Sequence, residues 1–216
     1  MTTIVVMAKE PRAGHSKTRL CPPATPAQAA QLAEAALRDT LAAVAAARAD
    51  HRVLALDGHP GPWLPPGFAV LSQRGDGLDE RLAATLADVA ALGADPTLVI
   101  GMDTPQVTAE LLDAAFARLV NPAVEAVLGP AYDGGWWALG LRHPDPAATR
   151  GVPMSTPVTG AAQRTRLCEL GLSVADLPQL RDVDVIDDAL AVAAEAPASR
   201  FAAALSALSL IPDPIR

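Results

Sequence analysis

Short apolar runs rich in β-branched residues recur along this chain, and stretches of helical periodicity lie between most of them. Runs of strand length fall at residues 2–7, 52–56, 68–73, 97–100, 123–128 and 174–177, with a turn plus strand at 132–141. Residues 27–49 place Ala30, Leu32, Ala36, Leu37, Leu41 and Val44 at near-helical spacing, starting from Thr25 or Pro26. Further helices are predicted over 78–92, from about Thr108, and over 164–170, 183–196 and 199–210, with Pro212 and Pro214 barring regular structure after that. Strands alternating with such helices predict an α/β fold whose central sheet is mostly parallel and covered on both faces. At 216 residues the chain is long enough for one full core and short for two, so a single domain over 1–216 is expected.

Aromatic residues make up only 3% of the chain and hydrophobic residues 50%, so the core must be built from Ala, Leu and Val. The formal net charge of -7 repels polyanions, which argues against non-specific binding of nucleic acid or of an anionic membrane surface. No apolar run reaches the roughly 18 to 20 residues of a membrane span. Cys21 and Cys168 form no C-x-x-C pair and no secretory signal precedes the first strand, so neither a disulfide framework nor a zinc site is expected, and a cytoplasmic location fits. The sequence leaves a homodimer open.

Ligands of parallel sheets sit beyond the carboxyl ends of the strands, which directs attention to the loops that follow them. The first runs Ala8-Lys9-Glu10-Pro11-Arg12-Ala13-Gly14-His15-Ser16-Lys17-Thr18-Arg19-Leu20, with Lys9, Arg12, Lys17 and Arg19 inside eleven residues of an acidic protein. Backbone N–H groups around Ala8 and Gly14 together with these cations suit a di- or triphosphate. Because Lys and Arg are usually solvated, a merely positive surface is the competing reading. Against it, Lys17 and Arg19 stand close together after a turn, at a self-repulsive cost that an anionic ligand removes. The loop is not a Walker A motif, since Gly14 stands alone before Lys17-Thr18.

Three later segments complete the candidate set. The turn Gln73-Arg74-Gly75-Asp76-Gly77 would let a base or ribose lie against the backbone, with Gln73, Gly75 and Gly77 in contact. Asp103, in Gly101-Met102-Asp103-Thr104-Pro105, closes an apolar strand; helix capping and Mg²⁺ (or Mn²⁺) binding are both open to it, since Mg²⁺ takes one or two carboxylates plus substrate phosphates. Asp187 and Asp188 are explained as acids at a helix start, whereas Asp182 and Asp184 are explained less well. Asp133-Gly134-Gly135-Trp136-Trp137 places two of three tryptophans side by side; on a strand they face opposite ways, one into the core and one able to line a pocket. His15, His51, His59 and His143 have no ligand spacing, and no nucleophile elbow supports a covalent hydrolase.

The set Met7-Ala8-Lys9-x-Pro11-x-x-Gly14-x-x-Lys17-Thr18-Arg19-Leu20, Gly101-x-Asp103-x-Pro105, Leu128-Gly129-Pro130-x-x-Asp133-Gly134-Gly135-Trp136 and Asp182-Val183-Asp184 resembles the radical-SAM/selenodomain-associated transferase 1 family, in order and over nearly the whole chain. That family is similar to the nucleotide-diphospho-sugar transferases, with a GT-A-like, Rossmann-type three-layer sandwich, and to molybdenum cofactor and 2-phospholactate guanylyltransferases. The resemblance implies that Lys17 and Arg19 hold the phosphates, that Asp103 binds the metal, and that Asp182-Val183-Asp184 completes the metal site. Asp133, Gly134, Gly135 and Trp136 would meet the acceptor. Tyr132 and Trp136-Trp137 depart from the residues common there.

The expected activity is metal-dependent nucleotidyl transfer, in which a small phosphorylated or acidic acceptor attacks the α-phosphate of a nucleoside triphosphate and pyrophosphate leaves. Lys17, Arg19 and Asp103 are the catalytic candidates, and the nucleotide cradle comprises Ala8, Lys9, Arg12, Gly14, Lys17, Gln73, Gly75, Gly77 and Asp103. The alternatives are a GT-A glycosyltransferase using a nucleoside diphosphate sugar and a non-catalytic nucleotide-binding protein.

Overall fold

Successive side chains of a buried strand must satisfy both faces of a sheet, and the first strand shows how this chain does so. In β1 (Thr3–Lys9), Ile4, Val6 and Ala8 enter one core while Val5 and Met7 enter another. The computed structural model describes residues 1–208; the far end of the helix expected over 199–210, and Pro212 and Pro214, lie outside them. The remaining strands are β2 (His51–Asp57), β3 (Ala69–Ser72), β4 (Thr97–Gly101), β5 (Ala126–Pro130), β6 (Trp136–Leu141) and β7 (Val174–Asp176). They form one sheet in the order β3-β2-β1-β4-β6-β5-β7. Every pairing is parallel except those of β6, which runs antiparallel to both β4 and β5.

Helices α1 (Pro26–Ala46) and α3 (Ala109–Val120) cover the face of Ile4, with Leu37, Leu41, Leu112 and Phe116 in the shared core. Helices α2 (Leu78–Ala91) and α4 (Thr159–Glu169) cover the face of Val5, through Leu82, Leu86, Val89 and Leu167. The result is the single α/β domain that the alternation predicts. The start of α1 is fixed locally: Thr25 accepts from the Gln28 N–H at 3.3 Å, the Gln28 side chain accepts from the Thr25 N–H at 2.8 Å, and Pro26 occupies the first turn. Ala-rich α1 is buried on two sides. Its outer face, including Leu32 and Ala36, packs on α5 (Ile186–Glu195) and α6 (Arg200–Ala207) through Val192 and Phe201. That layer carries residues 182–184 back to the sheet.

Two helices start elsewhere than expected. Helix α4 begins at Thr159 rather than 164, because Gly160, a poor helix former, is retained for a close backbone contact: its N–H donates to the Gly134 carbonyl at 2.8 Å, and a Cβ there would sit 2.7 Å from the Gly135 oxygen. Helix α5 begins at Ile186 rather than 183, because the Val183 N–H donates to the Asp103 carbonyl at 2.9 Å and holds that residue out of the helix. Asp188 then accepts from the Val185 N–H at 3.1 Å and starts α5.

The chain leaves β1 toward β2 and β3 on one side and returns as β4 on the other, so the strand order reverses between β1 and β4. The loops after these strands diverge there and open a crevice at the carboxyl edge of the sheet.

Asp39, buried in α1, accepts from the Phe201 N–H at 2.8 Å and the Arg200 N–H at 3.1 Å and so caps α6 from outside it. Asp39→Ala leaves those donors unmet and is expected to lower unfolding stability by about 1–2 kcal/mol in urea titration.

Candidate active site

The loop after β1 is closed on itself before it reaches its functional side chains. The Ser16 hydroxyl donates to the Glu10 carbonyl at 3.0 Å and accepts from the Arg12 N–H at 3.0 Å, while the Ser16 N–H donates to the Arg12 carbonyl. Lys17 follows in the left-handed region, at φ 52° and ψ 40°, a conformation that costs a non-glycine residue about 1–2 kcal/mol. A short 3-10 helix, Thr18–Leu20, continues the chain, and buried Leu20 anchors it among α1, α5 and α6. The Lys17 side chain, only 10% exposed, is thereby directed across the crevice.

Its ammonium stands 2.7 Å from Asp103 Oδ1 at the end of β4 and also donates to the Val183 carbonyl. Two residues on, Arg19 pairs with Asp184 at 2.5 Å from a largely exposed position. Asp182 borders the same crevice without an ion-pair partner among the described residues. Its carboxyl is pushed up to about 6, chiefly by burial and then by the Asp133 carboxylate, with Asp103 adding to the effect.

These groups line one cleft of about 470 Å³. Of the predicted residues, Ala8, Lys9, Lys17, Arg19, Gln73, Asp103, Asp133, Gly135, Trp136, Asp182 and Asp184 border it. Arg12, Gly14, Gly75, Gly77 and Gly134 do not, and each has another role or position. Arg12 lies outside the lining, and Gly14 makes the exposed turn at φ +78°. Gly75, at φ +124°, packs against Glu80, while Gly77 is the residue before α2. Arg74 forms a two-point pair with Asp88 at 2.7 and 2.9 Å, which holds that turn against α2. Gly134, at φ +89°, lets its turn touch the 157 region: a Cβ there would meet the Pro157 carbonyl oxygen at 2.0 Å.

The two tryptophans face opposite ways, as the strand alternation requires, and both reach the cleft. Trp137 is 2% exposed and donates to the Pro178 carbonyl at 2.9 Å, so it belongs to the core while also bordering the cleft. Trp136 packs against the core of the other face and is the more accessible of the two. Asp133 accepts from the Gly135 N–H at 2.7 Å and shapes the turn before them. Gln73 is fixed by its amide, whose Nε2 donates to the carbonyls of Ala8 at 2.9 Å and Ala55 at 2.8 Å; the side-chain oxygen is what it can offer a ligand.

Sequence reasoning missed one wall of the cleft, formed by Met154, Ser155, Thr156 and Thr159, as well as His15, Thr18 and Thr104. Ser155, like Lys17, is left-handed, at φ 59°. The signal was the hydroxyl-rich, Pro-bounded run Pro153-Met154-Ser155-Thr156-Pro157-Val158-Thr159 just ahead of a helix.

The acidic groups suit a hard divalent cation in their chemistry, since all are carboxylates and Asp182 lies among like charges with its own charge disfavoured. Among the described residues, no three His, Cys, Asp or Glu side chains are gathered closely enough to hold a metal by themselves. An ion of the Mg²⁺ type keeps waters and takes further oxygens from phosphates, so it asks for only one or two carboxylates of the protein. Also among the described residues, no helix is long and apolar enough to cross a membrane.

Residues 28–156 match the family described as "Uncharacterized protein conserved in bacteria (DUF2064)". The chain is similar to a phosphoenolpyruvate guanylyltransferase of Sphaerobacter thermophilus, at 32% identity over 148 residues, or 67% of this chain and 70% of that protein. It is also similar to the crystal structure of a protein of Desulfovibrio desulfuricans G20 assigned as a nucleotide-diphospho-sugar transferase, with a TM-score of 0.85 and 25% identity over 96% of this chain and 95% of the other. In fold alone it is similar to 2-C-methyl-D-erythritol 4-phosphate cytidylyltransferase from Thermus thermophilus, with a TM-score of 0.54 and 17% identity over 90% and 98% of the two chains.

Gly134→Ala combines an unfavourable φ with a direct clash against the Pro157 carbonyl, so a loss of about 1–3 kcal/mol is expected in denaturant unfolding. Gly14→Ala, with open space around its Cβ position, should cost no more than about 1–2 kcal/mol by the same measurement.

Proposed function

The chain belongs to the DUF2064 family and is an enzyme of the nucleotide-diphospho-sugar transferase superfamily, and from that premise we propose that it is a nucleotidyltransferase. A nucleoside triphosphate and a small phosphorylated or acidic acceptor are the substrates in this reading, and pyrophosphate is the leaving group. The observation that carries it is the meeting of Lys17, Arg19, Asp103, Asp182 and Asp184 in one cleft at the strand-order reversal, where the cations can receive a polyphosphate and the carboxylates the divalent cation that accompanies it. The guanylyltransferase relative supports transfer of a nucleotidyl group. The motif resemblance to the radical-SAM/selenodomain-associated transferase 1 family belongs to the same reading.

Lys17 and Arg19 bind the β- and γ-phosphates and offset the charge that gathers on the departing pyrophosphate. Lys9 extends the positive wall. Asp103 and Asp184, with Asp182 beside them, would hold Mg²⁺ or Mn²⁺. When bound, such an ion neutralises phosphate oxygens and makes the α-phosphorus easier to attack. Gln73, on the side of the cleft toward β3, offers its carbonyl oxygen to N–H groups of the base. The acceptor lies on the opposite side, against Asp133, Gly135, Trp136 and the hydroxyl wall from Ser155 to Thr159, and a phosphate or carboxylate acceptor attacks without a general base. A cytoplasmic location, where nucleoside triphosphates are made, is consistent with this chemistry.

A second reading, glycosyl transfer from a nucleoside diphosphate sugar, is favoured by the nearly full-length likeness to the Desulfovibrio protein. The products separate the two. Phosphorus NMR of reactions containing each nucleoside triphosphate, Mg²⁺ or Mn²⁺ and small phospho-acids is expected to show pyrophosphate. Formation of nucleoside diphosphate from sugar nucleotides, without pyrophosphate from triphosphates, would instead establish the glycosyltransferase. Asp103→Asn is expected to reduce turnover by about 10²-fold or more, and unchanged turnover would remove its assigned role.

A further inference from the structure

Of the three carboxylates assigned to the divalent cation, two already carry cations of the protein. Lys17 is held against Asp103 by a loop sealed through Ser16, and its ammonium spends two donors, on Asp103 and on the Val183 carbonyl. Arg19 covers Asp184. Asp182 alone of the three is unpaired among the described residues. These are not stray surface contacts, at least for Lys17, whose side chain is nearly buried and whose backbone is kept in a conformation that a lysine does not prefer.

We propose that Lys17 is a resident counter-ion of Asp103 that competes with the divalent cation for this carboxylate, so that the metal enters tightly only together with a polyphosphate that draws the ammonium away. The inference rests on the metal-dependent reading above. A dication brought next to Asp103 would face the Lys17 ammonium a few ångströms away, and repulsion at that distance in a half-buried site amounts to roughly a tenfold or greater loss of affinity. A triphosphate removes the penalty by giving the ammonium a new partner. Metal and nucleotide then bind with positive coupling, and the coupling passes through one side chain. Such an order keeps free divalent cations from loading the site without substrate.

The test is a titration of the full, nucleotide-free chain with Mn²⁺, reading unbound hexaaqua Mn²⁺ by electron paramagnetic resonance. Lys17→Met is expected to bind Mn²⁺ about tenfold or more tightly than the wild type, even though it binds nucleoside triphosphate more weakly. The double variant Lys17→Met, Asp103→Asn should lose that gain. Equal or weaker Mn²⁺ binding by a Lys17→Met protein with wild-type circular dichroism overturns the proposal, as does a gain that survives in the double variant. Should Lys17→Met fail to fold, Lys17→Gln, which keeps a donor for the Val183 carbonyl, reads the same competition at Asp103: several-fold tighter Mn²⁺ binding supports it, and no change overturns it. Failure of the parent reading looks different. It would appear as no thermal shift of the wild type with any nucleoside triphosphate and Mn²⁺, whatever the variants do with Mn²⁺ alone.

Discussion

The ion pair between Lys17 and Asp103 spans the place where the sheet reverses its strand order, and most of the architecture around the cleft serves to bring its two members together. Each partner comes from the loop beyond a different strand, β1 and β4, which are neighbours in the sheet but far apart along the chain. The lysine reaches across because its loop is closed by Ser16 and its backbone turns left-handed. The aspartate stays at the strand end because its carbonyl is tied to the Val183 N–H. That same bond keeps Asp182 and Asp184 out of α5 and in the cleft.

Helix α1 carries the second constraint. It must cover one face of the sheet and at the same time support α5 and α6, and small alanines on a long helix allow close approach on both sides without aromatic anchors. Leu20, in the loop after β1, is buried in the outer of these two cores, so the loop carrying Lys17 and Arg19 and the segment carrying Asp182 and Asp184 share one support. Cations and acids are therefore positioned by common packing. A cleft whose opposing walls rest on one layer can hold charges at fixed separations, which is what in-line transfer at phosphorus demands.

Much of this was readable from residues alone. Thr25 and the Pro26 that follows mark the start of α1; the apolar β-branched run of residues 2–7 marks a strand of a sheet covered on both faces; and Asp103 is conspicuous as a carboxylate closing an apolar run. Other features left no local trace. Gly160 looks like a helix breaker until Gly134 is known to lie against it, and Gly75 and Gly77 look like a ligand-facing turn until Glu80 and Asp79 are found filling the space beside them. Arg12 shares a loop with Lys17, yet the turn closed by Ser16 leaves one residue in the cleft lining and the other outside it.

The sequence by itself determined the layered α/β class and the charged groups of the cleft, because periodic burial and side-chain type are properties of short stretches. Only the tertiary structure decided which cation faces which acid, that Ser155, Thr156 and Thr159 form a wall, and that Trp137 is the tryptophan locked into the core by the Pro178 carbonyl. The physical reason is that a charge pair or a close backbone contact depends on distance through space, and here that distance is set by the order of strands in the sheet and by which helix faces meet.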